Sequence, residues 1–563
     1  MTRLRAPALA LLAALFAAAP GPRPAAGQDA PPKGGGLGLD DEPSEPLTPE
    51  QQKAALELFG KAKAYVEKGQ GIAARTLFEE FLDKYPGADE DLLREADDRC
   101  GPNFLAGIEP MHSSGPSARR IDFELMGDGY TLALFRRFKG DAQLHMKAFW
   151  AEPLYGEYAS YINVWRFDLV SAEEGVDDLT MEERGLTVPT DPKALKRWKK
   201  AEKRRKQYST ALDCKAAGPA RQVMASPEQV MRWRRYLKES DGLTIAFANK
   251  GELGMGGGGI ATTGRNVALV HEVGHAFVGL LDEYTNNPSR PQGRIFAANA
   301  ISTDNEDPKI PPPIDEIPWK HWLLFKPKPS DVGIHLGGAT YTLGVFRPAP
   351  GCAMNSGGGS PMCTVCREAG VLRIYSYVSP LDESGPTVDT VRLVAGETKE
   401  FFVRPMQPKS HSLQTDWTLQ IMATTPPAAG TDPAPPSEGG SYGQDERARG
   451  MWNGEGDRAA DRRANPLPEG NPKGAPLKPV VQRLPGGAGY RSTVKIEKLP
   501  PGVYRLTARV LDDTKVGGSP VPWVIKDPDR LREEWRVWTI EVVPAGGVTT
   551  PVPTPGSAPV PPK

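Results

Sequence analysis

Apolar residues at Ala55, Leu58, Phe59, Ala62, Tyr65 and Val66 recur every three or four positions, the period of a helix that buries one face. Thr48 is placed to cap that helix, Pro49 suits its first turn, and Gln51 completes a capping box. After a turn at Gly69–Gly71, the residues Ile72, Ala73, Leu77, Phe78, Phe81 and Leu82 repeat the pattern and stop before Tyr85 and Pro86. A helical hairpin is therefore expected within residues 48–110. The pattern then alternates. Ile121–Met126, Tyr161–Val170 and Leu243–Asn249 read as strands, and Leu132–Ala151 reads as a helix, so this region is expected to be α/β. Beyond Pro380, stretches within 387–405, 412–423, 490–511 and 534–543 alternate and are rich in β-branched residues, which predicts a small β-sandwich. Residues 424–479 interrupt it with Pro, Gly and charge and few apolar anchors, a composition expected to stay disordered.

A chain of 563 residues has room for three or more domains. Its net charge of −1 argues neither for nucleic acid nor for an anionic membrane as partner. Met1–Gly27 carries Arg3 and Arg5, an apolar run from Ala8 to Ala19, and a small-residue end at Ala25, Ala26 and Gly27. That is the form of a secretory signal peptide, and no other segment is apolar enough to span a bilayer. The mature chain is expected to be soluble and exported: secreted, periplasmic or at the cell surface. The basic helix expected at Lys196–Lys206 reads as a solvated face. Gly256–Gly259 reads as a flexible loop before Ile260, and it lacks the lysine that a phosphate cradle would need.

The chemistry is concentrated at His271-Glu272-Val273-Gly274-His275. Two histidines four residues apart share one helical face and reach one ion, and Glu272 stands where it can take a proton from water at that ion. Asn266 is the expected N-cap, with apolar Val267–Val270 following. Gly279 is expected to end the helix in a left-handed conformation. A continuous helix would carry Asp282 about 10 Å along the axis from His275. A break at Gly279 instead aims Asp282 at the ion as third ligand, with Glu283 pointing away to hold the turn or to meet a cation.

The run His271–Tyr284 resembles the zinc peptidases named for immunoglobulin A cleavage. Met126–Thr131, with its Gly-Asp-Gly-Tyr-Thr, is similar to a segment near the start of that catalytic domain. Asn163–Trp165 with Ser171 and Glu174–Asp177 is similar to the next segment, and Cys352–Met354 with Cys363–Glu368 to a later one. The resemblance spans roughly residues 118–380. It implies a metzincin-like α/β fold, one catalytic zinc and hydrolysis of peptide bonds, though not immunoglobulin A as substrate. It also implies that Met354 belongs to a methionine turn, an apolar floor under the ligands. In this reading His271, His275 and Asp282 bind zinc and Glu272 is the general base; Tyr375 or Tyr377 is a candidate to assist the oxyanion.

Export changes the reading of the cysteines. In an oxidising compartment, Cys352 with Cys363 or Cys366 is expected to form a disulfide that braces the methionine turn. A second zinc at these residues would need a fourth ligand, and none is evident nearby in the sequence. The expected organisation is thus a signal peptide at 1–27, a linker at 28–47, a tetratricopeptide-like hairpin at 48–110 and a peptidase domain at 111–385. An immunoglobulin-like sandwich at 386–545 and a Pro-rich tail at 546–563 complete it. The hairpin is a candidate protein-binding element, with packing on the catalytic domain as the alternative. The competing functional class is a non-catalytic surface or periplasmic binding protein; the intact Glu272 argues against it.

Overall fold

The structure is a computed structural model describing residues 46–183, 186–217, 222–237, 240–249, 254–264, 269–356, 360–424, 457–485 and 489–545. The expected signal peptide, most of the first linker, the cap at Asn266 and the Pro-rich tail lie outside the described residues. The fold is mixed α/β with several sheets, and it divides into two compact units. One comprises the chain up to Val378 with a short return at Trp523–Lys526, and the other is built from Ser379 onward.

In the first unit, helix α1 (Pro49–Glu67) begins with the capping box expected at Thr48 and Gln51. Helix α2 (Gly71–Lys84) follows, then α3 (Glu90–Cys100), a third helix that the apolar spacing did not announce. Its start is local chemistry: the Asp89 side chain accepts the N–H groups of Asp91 and Leu92. Phe59, Phe78, Phe81, Ala62, Ala74 and Ala96 are buried together, and the Phe59 ring meets Phe78 and Phe81 edge-on at 5.5 and 5.1 Å. Burying each phenyl ring contributes about 1.5–3 kcal/mol. Gly71 lies against the Ala106 carbonyl so closely that any side chain there would collide with it. The helical cluster is therefore packed onto the sheet.

That sheet has six strands: β1 (Phe104–His112), β2 (Ile121–Asp128), β3 (Ile162–Val170), β4 (Leu243–Ala248), β5 (Met255–Gly257) and β6 (Ile260–Thr263). Their spatial order is β1-β3-β2-β4-β6-β5. The four inner strands are parallel; the outer two, β1 and β5, run antiparallel to their neighbours. Strands β2 and β4 are buried at every residue, as parallel strands covered on both faces must be. Helix α4 (Phe135–Ala151) contributes Phe138 and Phe149 to the core. The glycine run is ordered, which corrects the flexible-loop expectation. Gly257 pairs with Ile260, and Gly258 and Gly259, at φ +57° and +80°, form the two-residue turn between them. Two consecutive positive φ values match the twist of a tight hairpin, and glycine reaches them without a Cβ clash. The basic helix is present at Pro192–Lys203 and buries none of its residues.

The second unit holds β7 (Leu381–Gly385), β8 (Thr390–Val394), β9 (Thr398–Pro405), β10 (Gln414–Ala423), β11 (Ala475–Leu477), β12 (Val480–Arg483), β13 (Tyr490–Glu497), β14 (Gly502–Leu511) and β15 (Glu533–Val543). They form two sheets, β7-β9-β13-β12 and β8-β15-β14-β10-β11. Trp417 and Trp538 stack at 5.8 Å in its core. The expected disorder over 424–479 is corrected in part. Residues 425–456 are outside the described set, but Asp457–Ala464 is a helix and β11 is paired. Arg458 and Arg462 on that helix are buried at 4 % and 3 % exposure, and both pair with Glu534. Charge signalled solvation in the sequence; the partner carboxylate, far along the chain, reverses it. No helix among the described residues is long and apolar enough to cross a membrane.

Candidate metal centre

Leu269–Val273 (α5) is α-helical, and the next turn, Gly274–Val278, widens to π geometry. Such widened turns concentrate at functional sites. Gly279 then takes φ 77°, ψ 26°, and the Leu280 N–H bonds back to the Gly274 carbonyl at 3.0 Å. The left-handed residue ends the helix and reverses the chain. Asn299, buried on the neighbouring segment, clamps the reversed loop. Its amide accepts the Leu281 N–H at 3.0 Å and donates to the Leu281 carbonyl at 2.8 Å.

The reversal returns Asp282 to the histidines. Its Oδ1 lies 3.1 Å from His271 Nε2 and 3.1 Å from His275 Nε2, and the two Nε2 atoms are 3.0 Å apart. His271 Nδ1 is 3.1 Å from the Ala353 carbonyl, and His275 Nδ1 is 2.6 Å from the Leu280 carbonyl. A carbonyl only accepts, so each Nδ1 carries a proton, and each Nε2, once deprotonated, turns a lone pair inward. Two imidazole lone pairs and a carboxylate oxygen converge on one point, a donor set that could hold a divalent cation.

The electrostatics agree with that geometry. Burial disfavours charge on Asp282, yet the hydrogen bonds from His271 and His275 outweigh it and hold the carboxyl well below the usual range. Burial likewise opposes the His275 imidazolium, and Asp282 more than offsets this, raising its pKa. Glu272 is 4 % exposed. Burial pushes its carboxyl up to about 8, with His271 opposing and Asp282 adding to the rise. The edge hairpin runs close beside it. A Cβ on Gly254 would meet Glu272 Oε1 at 2.8 Å, and one on Gly256 would strike the Glu272 carbonyl. Glycine at both positions lets β5 lie against the helix.

Met354 is fully buried beneath α5's continuation: a Cβ on Gly274 would meet its sulfur at 2.5 Å. The Met354 carbonyl accepts the Glu283 N–H at 2.8 Å. Residues 353 and 354 thus touch both the histidine helix and the reversed loop. Glu283 turns away from the histidines and towards Cys352, Cys363 and Cys366. All five cysteines are free thiols, so the expected bridge from Cys352 to Cys363 or Cys366 is not formed. Neither candidate tyrosine holds its expected place. Tyr375 is fully buried with its hydroxyl 2.8 Å from that of Tyr161, and Tyr377 packs on Phe277 at 5.9 Å. The tyrosine at the site is Tyr284, whose ring lies 6.1 Å from that of His271 and whose hydroxyl is electrostatically coupled to Asp282. Its place two residues after Asp282 was the available signal. For Asn299, only tertiary contact reveals the role.

The Gly-Asp-Gly-Tyr-Thr segment does structural work away from the histidines. Asp128, fully buried, accepts the N–H groups of Leu212 at 2.6 Å and Cys214 at 3.1 Å. Ser171 Oγ accepts those of Gly129 and Ala211, and Asn249 donates to the Gly129 carbonyl. The end of β2 is tied there to the chain after β3 and after β4.

A helix bearing two imidazoles and a buried carboxylate beside the last strand of a sheet fits the equipment of a peptidase. The family model described as IgA Peptidase M64 matches residues 109–195, which shows the resemblance to that family and supports a peptidase acting on protein or peptide. The matched segment contains the Asp128 and Ser171 junction and ends before the histidine helix. Comparison with curated proteins found no match.

Proposed function

We propose that the chain is an exported zinc metallopeptidase in which His271, His275 and Asp282 hold the metal and Glu272 is the general base. The observation that carries this reading is the convergence of His271 Nε2, His275 Nε2 and Asp282 Oδ1 at 3.0–3.1 Å, with both Nδ1 atoms committed to carbonyls. Two nitrogens and one carboxylate oxygen suit zinc, and three protein ligands leave a place for water. Bound there, zinc would acidify that water and polarise the scissile carbonyl. Glu272 accepts the water proton and returns it to the departing amine, a task suited to a carboxylate with raised proton affinity. Strand β5, last in its sheet, offers an edge to an extended peptide. Met354 supports the ligands without bonding the ion.

Within this reading, Met1–Gly27 directs export. The domain limits fall at 48–110, 111–385 and 386–545, the second with a metzincin-like fold. The helical cluster is tetratricopeptide-like and offers a protein-binding face. The second unit is an immunoglobulin-like sandwich, a reading supported by its two sheets and tryptophan core. The test is a peptide-library assay of the mature protein. Cleavage is expected to vanish with chelator and to return with zinc; cleavage that survives complete metal removal would exclude the mechanism.

A further inference from the structure

Four buried groups meet behind the histidine site. Cys366 Sγ lies 3.1 Å from Glu283 Oε1, and Cys363 Sγ lies 4.0 Å from the same oxygen. Cys352 Sγ accepts the Cys363 N–H at 3.3 Å. One ligand atom from each of the four lies within 4.8 Å of all the others. Glu283, Cys352 and Cys366 are 0 % exposed and Cys363 is 5 % exposed. Asn299 donates to Glu283 Oε1 at 3.2 Å, but Glu283 Oε2 has no hydrogen-bond partner among the described residues. A buried carboxylate oxygen without a partner is costly, and a buried carboxylate normally pairs or coordinates metal. Arg347, electrostatically coupled to Glu283, directs its hydrogen bonds to the carbonyls of Leu336, Gly337 and Ala349.

The local structure suits thiolates. Cys363 is the N-cap of α6 (Thr364–Tyr377), and Cys366 lies in its first turn. A helix N-terminus favours the thiolate, and two cysteines three residues apart there can grip one ion. A disulfide would use two of the three sulfurs and leave the third thiol and Glu283 Oε2 unanswered. A cation answers all four.

We propose that Cys352, Cys363, Cys366 and Glu283 form a second, closed metal site for a thiophilic divalent cation, zinc by its donor set, which staples the Asp282 loop to the methionine turn. Four protein ligands leave no place for water, so the site is structural. Its ligands adjoin the histidine site in the chain. Glu283 follows Asp282, and Cys352 precedes Ala353, whose carbonyl holds His271. The stapling role rests on the proposed zinc triad; the thiolate site does not.

The test uses the full mature chain under reducing conditions, with zinc analysis and cobalt substitution. Wild type is expected to bind about two zinc ions and the His271→Ala/His275→Ala variant about one. Cobalt in that variant is expected to give thiolate-to-metal charge-transfer absorption. Titrating wild type with a mercurial should release one zinc, with no variant needed, and weaken zinc at the triad by about 10–100-fold. A histidine variant without metal and without the thiolate band would overturn the second site and leave the triad standing. A histidine variant that keeps both zinc ions would instead sink the triad. Triad affinity unchanged by the mercurial would overturn the stapling role.

Discussion

Asp282 and Glu283 are neighbours in the chain and serve opposite surroundings. Asp282 meets two imidazoles at a site where its side chain is 20 % exposed and that of His275 is 15 % exposed. Glu283 meets three thiols and is fully buried with them. The first group has three donors and access to solvent, the second four donors and none. That difference separates a site that can admit water and substrate from one that can only hold structure together. It also shows how one reversed loop serves both: the left-handed turn at Gly279 and the clamp from Asn299 set the two carboxylates on opposite sides of the same backbone.

The largest expected effect lies at the open site. Glu272→Gln should retain zinc and lower peptide hydrolysis by about 10²–10⁴-fold, the usual contribution of a positioned acid–base group. Wild-type turnover in that variant would remove Glu272 from the mechanism. Next comes the pair of carboxylates. Asp282→Ala should lose the triad zinc and keep the thiolate-bound ion, whereas Glu283→Ala should lose the thiolate-bound ion and hold the triad zinc about 10–100-fold more weakly, read by zinc content and the cobalt spectrum. If either variant lost both ions together, the two groups would have to be treated as one site.

Smaller effects test what positions them. Gly274→Ala drives a methyl against the Met354 sulfur at 2.5 Å. It should cost about 1–3 kcal/mol of stability, seen in the denaturant midpoint. Gly279→Ala meets no atom of the described residues within 4 Å, so its expected cost is backbone strain, about 1–2 kcal/mol. A substantially larger loss would mean that the turn carries more than its φ. Thr48→Ala, at the start of α1, removes the cap for about 1 kcal/mol and should leave zinc content unchanged.

Much of the histidine site was legible because its information is local. The four-residue spacing, the glycine and the carboxylate three positions later are relations within a dozen residues, and helix geometry converts them directly into directions in space. The capping box at Thr48 and the buried strands β2 and β4 were legible for the same reason. The errors arose where a partner lies far along the chain. Charge over 457–464 suggested solvation until Glu534 met Arg458 and Arg462. Tyr375, a candidate to assist the oxyanion, is instead bonded to Tyr161 in the core.

The sequence by itself determined the helix face that presents His271 and His275, the stop at Gly279 and the period of most strands, because these follow from backbone geometry and side-chain spacing. Tertiary structure decided which tyrosine stands at the site and that the glycine run forms a hairpin beside Glu272. It also decided that Glu283 completes a group with Cys352, Cys363 and Cys366. Those outcomes depend on what each side chain meets after burial, and in a close-packed interior that is set by the joint placement of distant segments, which no local spacing records.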